Sequence, residues 1–198
     1  MSSPDRTPSR RRFIGLAAAG LLAASTAGCF QPMYAESTPG GGPGLRERMA
    51  DIEIVFIEGR IANEVRNDLI FQLTGGDGNP TGVPYKLLLR VSDNTASAII
   101  DPVSGLPEVE LVTVDASWQL FNAEDLPAVP RGQRVMPVDG KKPITQGTAF
   151  GKASLDSGFQ RFARARAIRD AQNRAATVVA DQIRGQLASY LLTRAPKS

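Results

Sequence analysis

Val112, Val114, Ala116, Trp118 and Leu120 are separated one by one by Thr113, Asp115, Ser117 and Gln119. That period of two marks a strand with one buried face. Upstream, Tyr85, Leu87, Leu89 and Val91 alternate with Lys86, Arg90 and Ser92, which predicts a long strand over 84–100 with one mostly wet face. Asp101-Pro102-Val103-Ser104-Gly105-Leu106-Pro107 between them is dense in turn formers, so the two strands read as an antiparallel hairpin. Ile52-Glu53-Ile54-Val55-Phe56-Ile57 is a short β-rich run stopped by Glu58-Gly59. From Ile144 to Ser154 the alternation returns through Thr145, Gly147, Ala149, Gly151 and Ala153, a small-residue face against which a helix can pack closely.

Two segments carry the helical period instead. Ile61, Val65, Leu69 and Leu73 recur every four residues, and Gly75-Gly76 ends the run because glycine accepts the left-handed C-cap. From Phe159 to Thr193 there is no proline, and Phe162, Ile168, Ala171, Ala175, Val178, Val179, Ile183, Leu187, Tyr190 and Leu191 fall near helical spacing. Roughly 35 helical residues span about 50 Å, enough to lie along the whole hairpin. The elements sum to strand, helix, three strands, helix. The expected class is α+β, a four-stranded mostly antiparallel sheet with two helices on one face, the other face left without helical cover.

Two stretches resist both periods. Residues 122–143 are rich in proline, glycine and charge; a loop of about 20 residues in a compact domain is usually functional or disordered. It offers Arg131, Arg134, Lys141 and Lys142 as candidate contacts for an anion, against the plainer alternative of solvated loop charges. Residues 29–50, with Ser37-Thr38-Pro39-Gly40-Gly41-Gly42-Pro43-Gly44, read as a polar flexible tether ahead of a single domain over 51–198.

The N-terminus is organised differently. Arg10-Arg11-Arg12 precede an apolar run over 13–27, the basic and apolar regions of an export signal. That run is too short for a confident permanent span, which needs roughly 20 residues. Ser9-Arg10-Arg11-Arg12-Phe13-Ile14-Gly15 resembles a twin-arginine signal, and an ordinary secretory signal with three arginines fits equally. Leu21-Leu22-Ala23-Ala24-Ser25-Thr26-Ala27-Gly28-Cys29 resembles the lipobox of bacterial lipoproteins, although Thr26 stands where an aliphatic residue is usual. The resemblance implies removal of residues 1–28 and a diacylglycerol and N-acyl group on Cys29, which becomes the mature N-terminus. Several acyl chains hold a protein stably at a bilayer where one does not. Phe30 rather than Asp after the cysteine implies sorting to the outer membrane, by analogy with enteric lipoproteins.

Charge then changes meaning. The 198-residue chain is formally +3, but removing 1–28 takes four arginines and one aspartate and leaves 19 bases and 19 acids. No nucleic-acid partner is implied. Residues 160–198 hold eight bases against Asp170 and Asp181, so the C-terminal helix is basic and the remainder acidic. That pattern fits helix-to-sheet complementarity, a solvated face, or a surface for an anionic partner. With no histidine and one cysteine, histidine-based triads and the usual zinc sites are excluded, and no other cofactor motif is present.

Gly28-Cys29-Phe30-Gln31-Pro32-Met33-Tyr34 resembles the mature start of the LPS-assembly lipoprotein (LptE) family, commonly Gly-Cys-Gly-Phe, any residue, Pro-Leu-Tyr. Here the glycine after the cysteine is missing and Met33 replaces leucine; the order of elements and the long C-terminal helix also match. The resemblance implies a non-enzymatic outer-membrane lipoprotein that sits inside the LptD β-barrel, assists its assembly, binds lipopolysaccharide and helps insert it into the outer leaflet. Phe30, Pro32 and Tyr34 match the family pattern, and either pack against the barrel wall or start the fold through a proline-restricted turn. A second reading is an auxiliary lipoprotein of another envelope lipid transporter or secretion channel, engaged by strand addition. A third, a carboxylate-based hydrolase using two of Asp93, Asp101 and Asp115, requires two carboxyls about 5 to 9.5 Å apart in a cleft.

Overall fold

The computed structural model describes residues 43–127, 133, 140–156 and 161–193. The alternating segments form a four-stranded sheet: β1 (Ile52–Ile54), β2 (Tyr85–Ile100), β3 (Pro107–Asn122) and β4 (Thr145–Asp156), in the spatial order β1-β2-β3-β4. Only β1 and β2 are parallel; the other pairs are antiparallel, so the sheet is mostly antiparallel as expected. The register places Leu87, Leu89 and Val91 opposite Leu120, Trp118 and Ala116, and these in turn opposite Thr145, Gly147 and Ala149. One face therefore collects the long apolar rows, while Leu88 and Phe121 lie on the other.

Three helices cover that face. Besides α2 (Arg60–Thr74) and α3 (Arg161–Thr193), a short α1 spans Leu45–Ala50. Ile61, Val65, Leu69 and Leu73 of α2 are all buried, and Gly75 caps the helix at φ +75°, its N–H donating to the Phe71 carbonyl at 2.8 Å. In α3 the buried stripe is alanine-rich, with Ala171, Ala175, Ala176, Val179, Ala180 and Ile183, then Leu187, Ala188 and Leu191. Val178, counted on the stripe from spacing, instead faces outward at 42% exposure. The alanines meet Gly151, Ala149 and Ala153 of β4, small surface against small surface, so helix and sheet approach closely.

The tether expected over 29–50 does not extend to Ala50. Leu45 and Met49, four residues apart, both sink into the core, and the Arg48 guanidinium donates to the Leu191 carbonyl at 2.5 Å. That carbonyl lies in the last turn of α3, where no helical N–H is left to bond it. Six residues are too few to hold a helix unaided; burial and this cap do so here.

Side chains bond the outward backbone groups of the two outermost strands at several points, while β1 covers the β2 edge only along Tyr85–Leu87. The Asn79 amide pairs with Ile54 like a strand, accepting from its N–H at 2.9 Å and donating to its carbonyl at 3.0 Å. Along β4, Gln182 of α3 accepts from the Phe150 N–H and donates to the Phe150 carbonyl, at 3.1 and 2.9 Å. Gln186, one turn on, donates to the Thr148 carbonyl, and Arg174 to that of Ser154. An edge strand offers unpaired N–H and C=O groups to any passing chain. These side chains occupy several of those groups on β1 and β4.

Candidate functional site

The face away from the helices is the candidate site. It is built from the side chains between the core rows: Arg90, Ser92 and Asn94 of β2, Thr113, Asp115, Ser117 and Gln119 of β3, and Gln146, Thr148, Phe150 and Lys152 of β4. Ser117 stands between Arg90 and Thr148, and Asp115 between Ser92 and Phe150. Gln119 donates to Gln146 across the β3–β4 pair at 3.2 Å. Hydroxyl and amide groups dominate, each able to donate and accept.

Two hollows lie on this surface. One of about 990 Å³ is lined by Arg90, Ser117, Gln119 and Thr148 together with the Val55–Glu58 segment. A second, of about 330 Å³, shares Arg90, Ser117 and Thr148 and extends to Asp115 and Phe150. The Phe150 ring is 57% exposed, and the Lys152 ammonium lies 5.9 Å from its centroid. At that distance the cation is attracted by the ring's negative face. At one end, Val55, Leu88, Phe121 and Leu126 form a small apolar cluster separate from the main core. It fastens the chain after β3 to the sheet.

The sequence candidates distribute unevenly. Cys29, Phe30, Pro32, Tyr34, Arg131 and Arg134 lie outside the described residues. Lys141 forms an ion pair with Asp125 at 2.6 Å, and Lys142 beside it is exposed. Lys141 and, less strongly, Asn122 hold the Asp125 carboxyl below the usual carboxylate range; Asp125 in turn raises the Lys141 ammonium. An anionic ligand would compete with Asp125 for Lys141.

A depressed carboxyl contributes above its ordinary pKa of about 3.9 and loses that contribution as pH falls through its lowered value. We therefore expect the tie to release only in acid, below the ordinary carboxylate midpoint. Carboxyl-detected NMR titration should place Asp125 below about 3.9, and Lys141→Met should move its midpoint back up. An unchanged midpoint in the variant would show that Asn122 alone holds it.

The three acids considered for hydrolysis do not converge. Asp93 is on the helix side and accepts from Gln172 at 2.7 Å, while Asp115 points to the opposite face. Asp101 is consumed by its turn, accepting from the Val103 N–H and the Ser104 hydroxyl at 2.9 and 2.6 Å. The basic helix meets the acidic remainder through the pair of Arg164 with Glu110, while Arg166 and Arg169 are exposed. Arg90, Phe150 and Lys152 carry the open face; the alternation of β2 puts Arg90 among its wet positions, and Phe150 and Lys152 are not among the sequence candidates. Their signal was present in the outer positions of β3 and β4, where Thr, Ser and Gln outnumber charges.

No family model and no curated protein matches the sequence. Solved structures do resemble it in fold. A candidate lipoprotein of Caulobacter crescentus CB15 superposes with a TM-score of 0.58 at 23% identity, over 76% of this chain and 97% of that one. The rare lipoprotein B of Shewanella oneidensis gives 0.47 at 13% identity, over 72% and 96%. A minor lipoprotein of Acinetobacter baumannii gives 0.47 at 12%, over 71% and 94%. At the first of these levels of similarity, the chain shares the fold of the Caulobacter protein.

Proposed function

We propose that this chain is an outer-membrane lipoprotein, acylated at Cys29, that plugs an LptD-type β-barrel, binds lipopolysaccharide and helps deliver it to the outer leaflet, without catalysing a reaction. The lipobox and the Gly28–Tyr34 resemblance support the anchor and the family, and the three solved neighbours are themselves described as lipoproteins. The observation that carries the reading is the helix-free sheet face, dressed in hydroxyls and amides. The lumen of an outer-membrane barrel is polar. A plug inside it needs a hydrogen-bonding exterior, which these hydroxyl and amide side chains supply.

Purifying the lipidated protein from detergent-solubilised outer membranes tests this directly. A stoichiometric large β-barrel with bound lipopolysaccharide is the expected result. Recovery alone would overturn it. Recovery with an inner-membrane transporter or a secretin would favour the second reading, an auxiliary lipoprotein joined by strand addition. One feature suits that reading: β1 pairs only with Tyr85–Leu87, so β2 continues past its parallel neighbour.

Within the first reading, Arg90 and Lys152 are exposed cations of the open face that suit the phosphates of lipid A. Arg90→Ala with Lys152→Ala should weaken lipopolysaccharide binding about tenfold or more at low salt while leaving the melting temperature unchanged, both side chains being exposed. Binding equal to wild type in a fluorescence displacement assay would remove these two from the site.

A further inference from the structure

Four kinds of side chain meet at the smaller hollow of the open face: hydroxyl, carboxylate, guanidinium and aromatic. The sheet register sets them out as a grid, with Ser92, Asp115 and Phe150 in one row across β2, β3 and β4, and Arg90, Ser117 and Thr148 in the next. All six residues are exposed and line the hollow of about 330 Å³. Arg90 and Phe150 stand at diagonal corners. The short Ser92, Ser117 and Thr148 side chains lie between them, so the middle of the grid is low.

Neither charge is paired. Among the described residues Arg90 and Asp115 make no side-chain hydrogen bond or ion pair, whereas Asp101, Glu110 and Asp125 each have a partner. The Lys152 ammonium lies near the Phe150 ring but does not line the hollow. The ring therefore borders the hollow on a side that the cation leaves open.

This mixture selects its ligand. A phosphate gathers cations, but Arg90 is the one cation lining the hollow among the described residues, and the Asp115 charge repels an anion. An apolar molecule would leave a guanidinium, a carboxylate and three hydroxyls without partners, each at a cost. A sugar ring meets all of them. Its hydroxyls donate to the carboxylate, accept from the guanidinium and do both with serine and threonine, and the bonds to the two charged groups are the stronger ones. Its C–H face lies against the negative face of an aromatic ring.

Size agrees with chemistry. Ligand pockets run from about 300 to 1,000 Å³, and this hollow stands at the lower limit, with room for one ring. It adjoins the larger hollow through Arg90, Ser117 and Thr148. There the bond from Gln119 to Gln146 leaves the Gln119 carbonyl oxygen and the Gln146 amide N–H groups for a neighbouring sugar.

We propose that this hollow is a saccharide subsite: it takes one uncharged sugar ring, stacked on Phe150 and held at its hydroxyls by Asp115 and Arg90, with the sugar chain continuing toward Gln119 and Gln146. The ligand class is a neutral stretch of envelope glycan. The site stands independently of the barrel reading. The phosphate role of Arg90 and Lys152 given above involves neither Asp115 nor the Phe150 ring, so substitutions at these two separate the assignments.

The test uses the full acylated protein in a sugar-free polyoxyethylene detergent. It is titrated with a neutral hexose oligosaccharide from the lipopolysaccharide outer core and, separately, with chitotetraose, and binding is read by saturation-transfer NMR and calorimetry. Wild type should bind at least one of them, with the same affinity at low and high salt because the ligand carries no charge to screen. Phe150→Leu should weaken binding roughly threefold to tenfold and Asp115→Ala about tenfold or more. Phe150→Tyr, which keeps the aromatic face, should bind as wild type does. All three variants should melt as wild type does, their side chains being exposed.

Binding of the core sugar assigns the subsite to lipopolysaccharide, and binding of chitotetraose assigns it to the glycan of peptidoglycan; either upholds it. Binding of neither overturns it. So does binding that Phe150→Leu and Asp115→Ala leave unchanged, which puts the sugar elsewhere on the protein. Inorganic phosphate that displaces the sugar would also overturn it, because the hollow would then be an anion site. None of these outcomes depends on the barrel, whose recovery tests the functional reading by itself.

Discussion

Gly151→Ala is expected to destabilise the protein by about 3 kcal/mol, the upper end of what overpacking a well-filled core costs. A Cβ built on Gly151 lies 2.1 Å from the Ala175 carbonyl oxygen and 2.9 Å from its carbon. Both belong to the backbone of α3, so no rotamer change relieves the clash. The whole helix must lift off β4, and lifting it strains the Gln182 and Gln186 bonds to the strand edge. In a domain of this size each kcal/mol moves the melting temperature by about 2–4 °C, so a loss of roughly 10 °C should be seen by differential scanning calorimetry.

The same substitution at Gly185 is the control. A Cβ there meets nothing within 4 Å, and alanine is favoured over glycine in a helix interior by about 0.5–1 kcal/mol. Gly185→Ala should therefore raise the melting temperature slightly. Equal effects at the two sites would contradict the close approach of α3 to β4.

Arg164→Ala is expected to lower the melting temperature, because it takes a bidentate partner from the buried Glu110 carboxylate. Glu110 occupies a core-side position of β3 and is 3% exposed, an unusual place for a carboxylate. Arg164 holds it by two parallel bonds, Nε to Oε2 at 2.7 Å and Nη2 to Oε1 at 2.5 Å. Its raised guanidinium pKa follows from those hydrogen bonds and from the carboxylate charge. The Arg164 side chain is 43% exposed, so water reaches the vacated site and softens the loss.

The pair itself is worth less than its rupture. Replacing both members, Glu110→Leu with Arg164→Met, should restore most of the lost stability, because neither charge then needs solvation in the core. A double-mutant cycle by urea denaturation separates the two quantities. If the double variant is as unstable as Arg164→Ala, the pair contributes net stability and the desolvation argument fails.

Much of the architecture was legible in one dimension. The strict alternation from Val112 to Leu120, and the four-residue spacing from Ile61 to Leu73 closed by Gly75, are local patterns set by the pitch of strand and helix. They needed no knowledge of the rest of the chain. Strand number, the hairpin, the long C-terminal helix and the one-sided helical cover followed from them. So did the suspicion that the small face of β4 receives a helix, though not the distance at which it does.

What stayed hidden involves partners far apart in sequence. The helix at Leu45–Ala50 is too short to announce itself and exists because Leu45, Met49 and Arg48 find the core and the end of α3. Gln182 and Gln186 look like ordinary polar helix positions until the Phe150 and Thr148 backbone groups come within reach. Lys141 looks like a free loop cation until Asp125 claims it, and Asp93 and Asp115 look like neighbours until the pleat sends them to opposite faces. The sequence by itself determined the elements and their apolar faces, because those depend on the geometry of a single segment. Only the tertiary structure decided which edge groups are bonded, which charges are spent and which surface stays open, because each of these depends on a hydrogen bond or contact made across the fold.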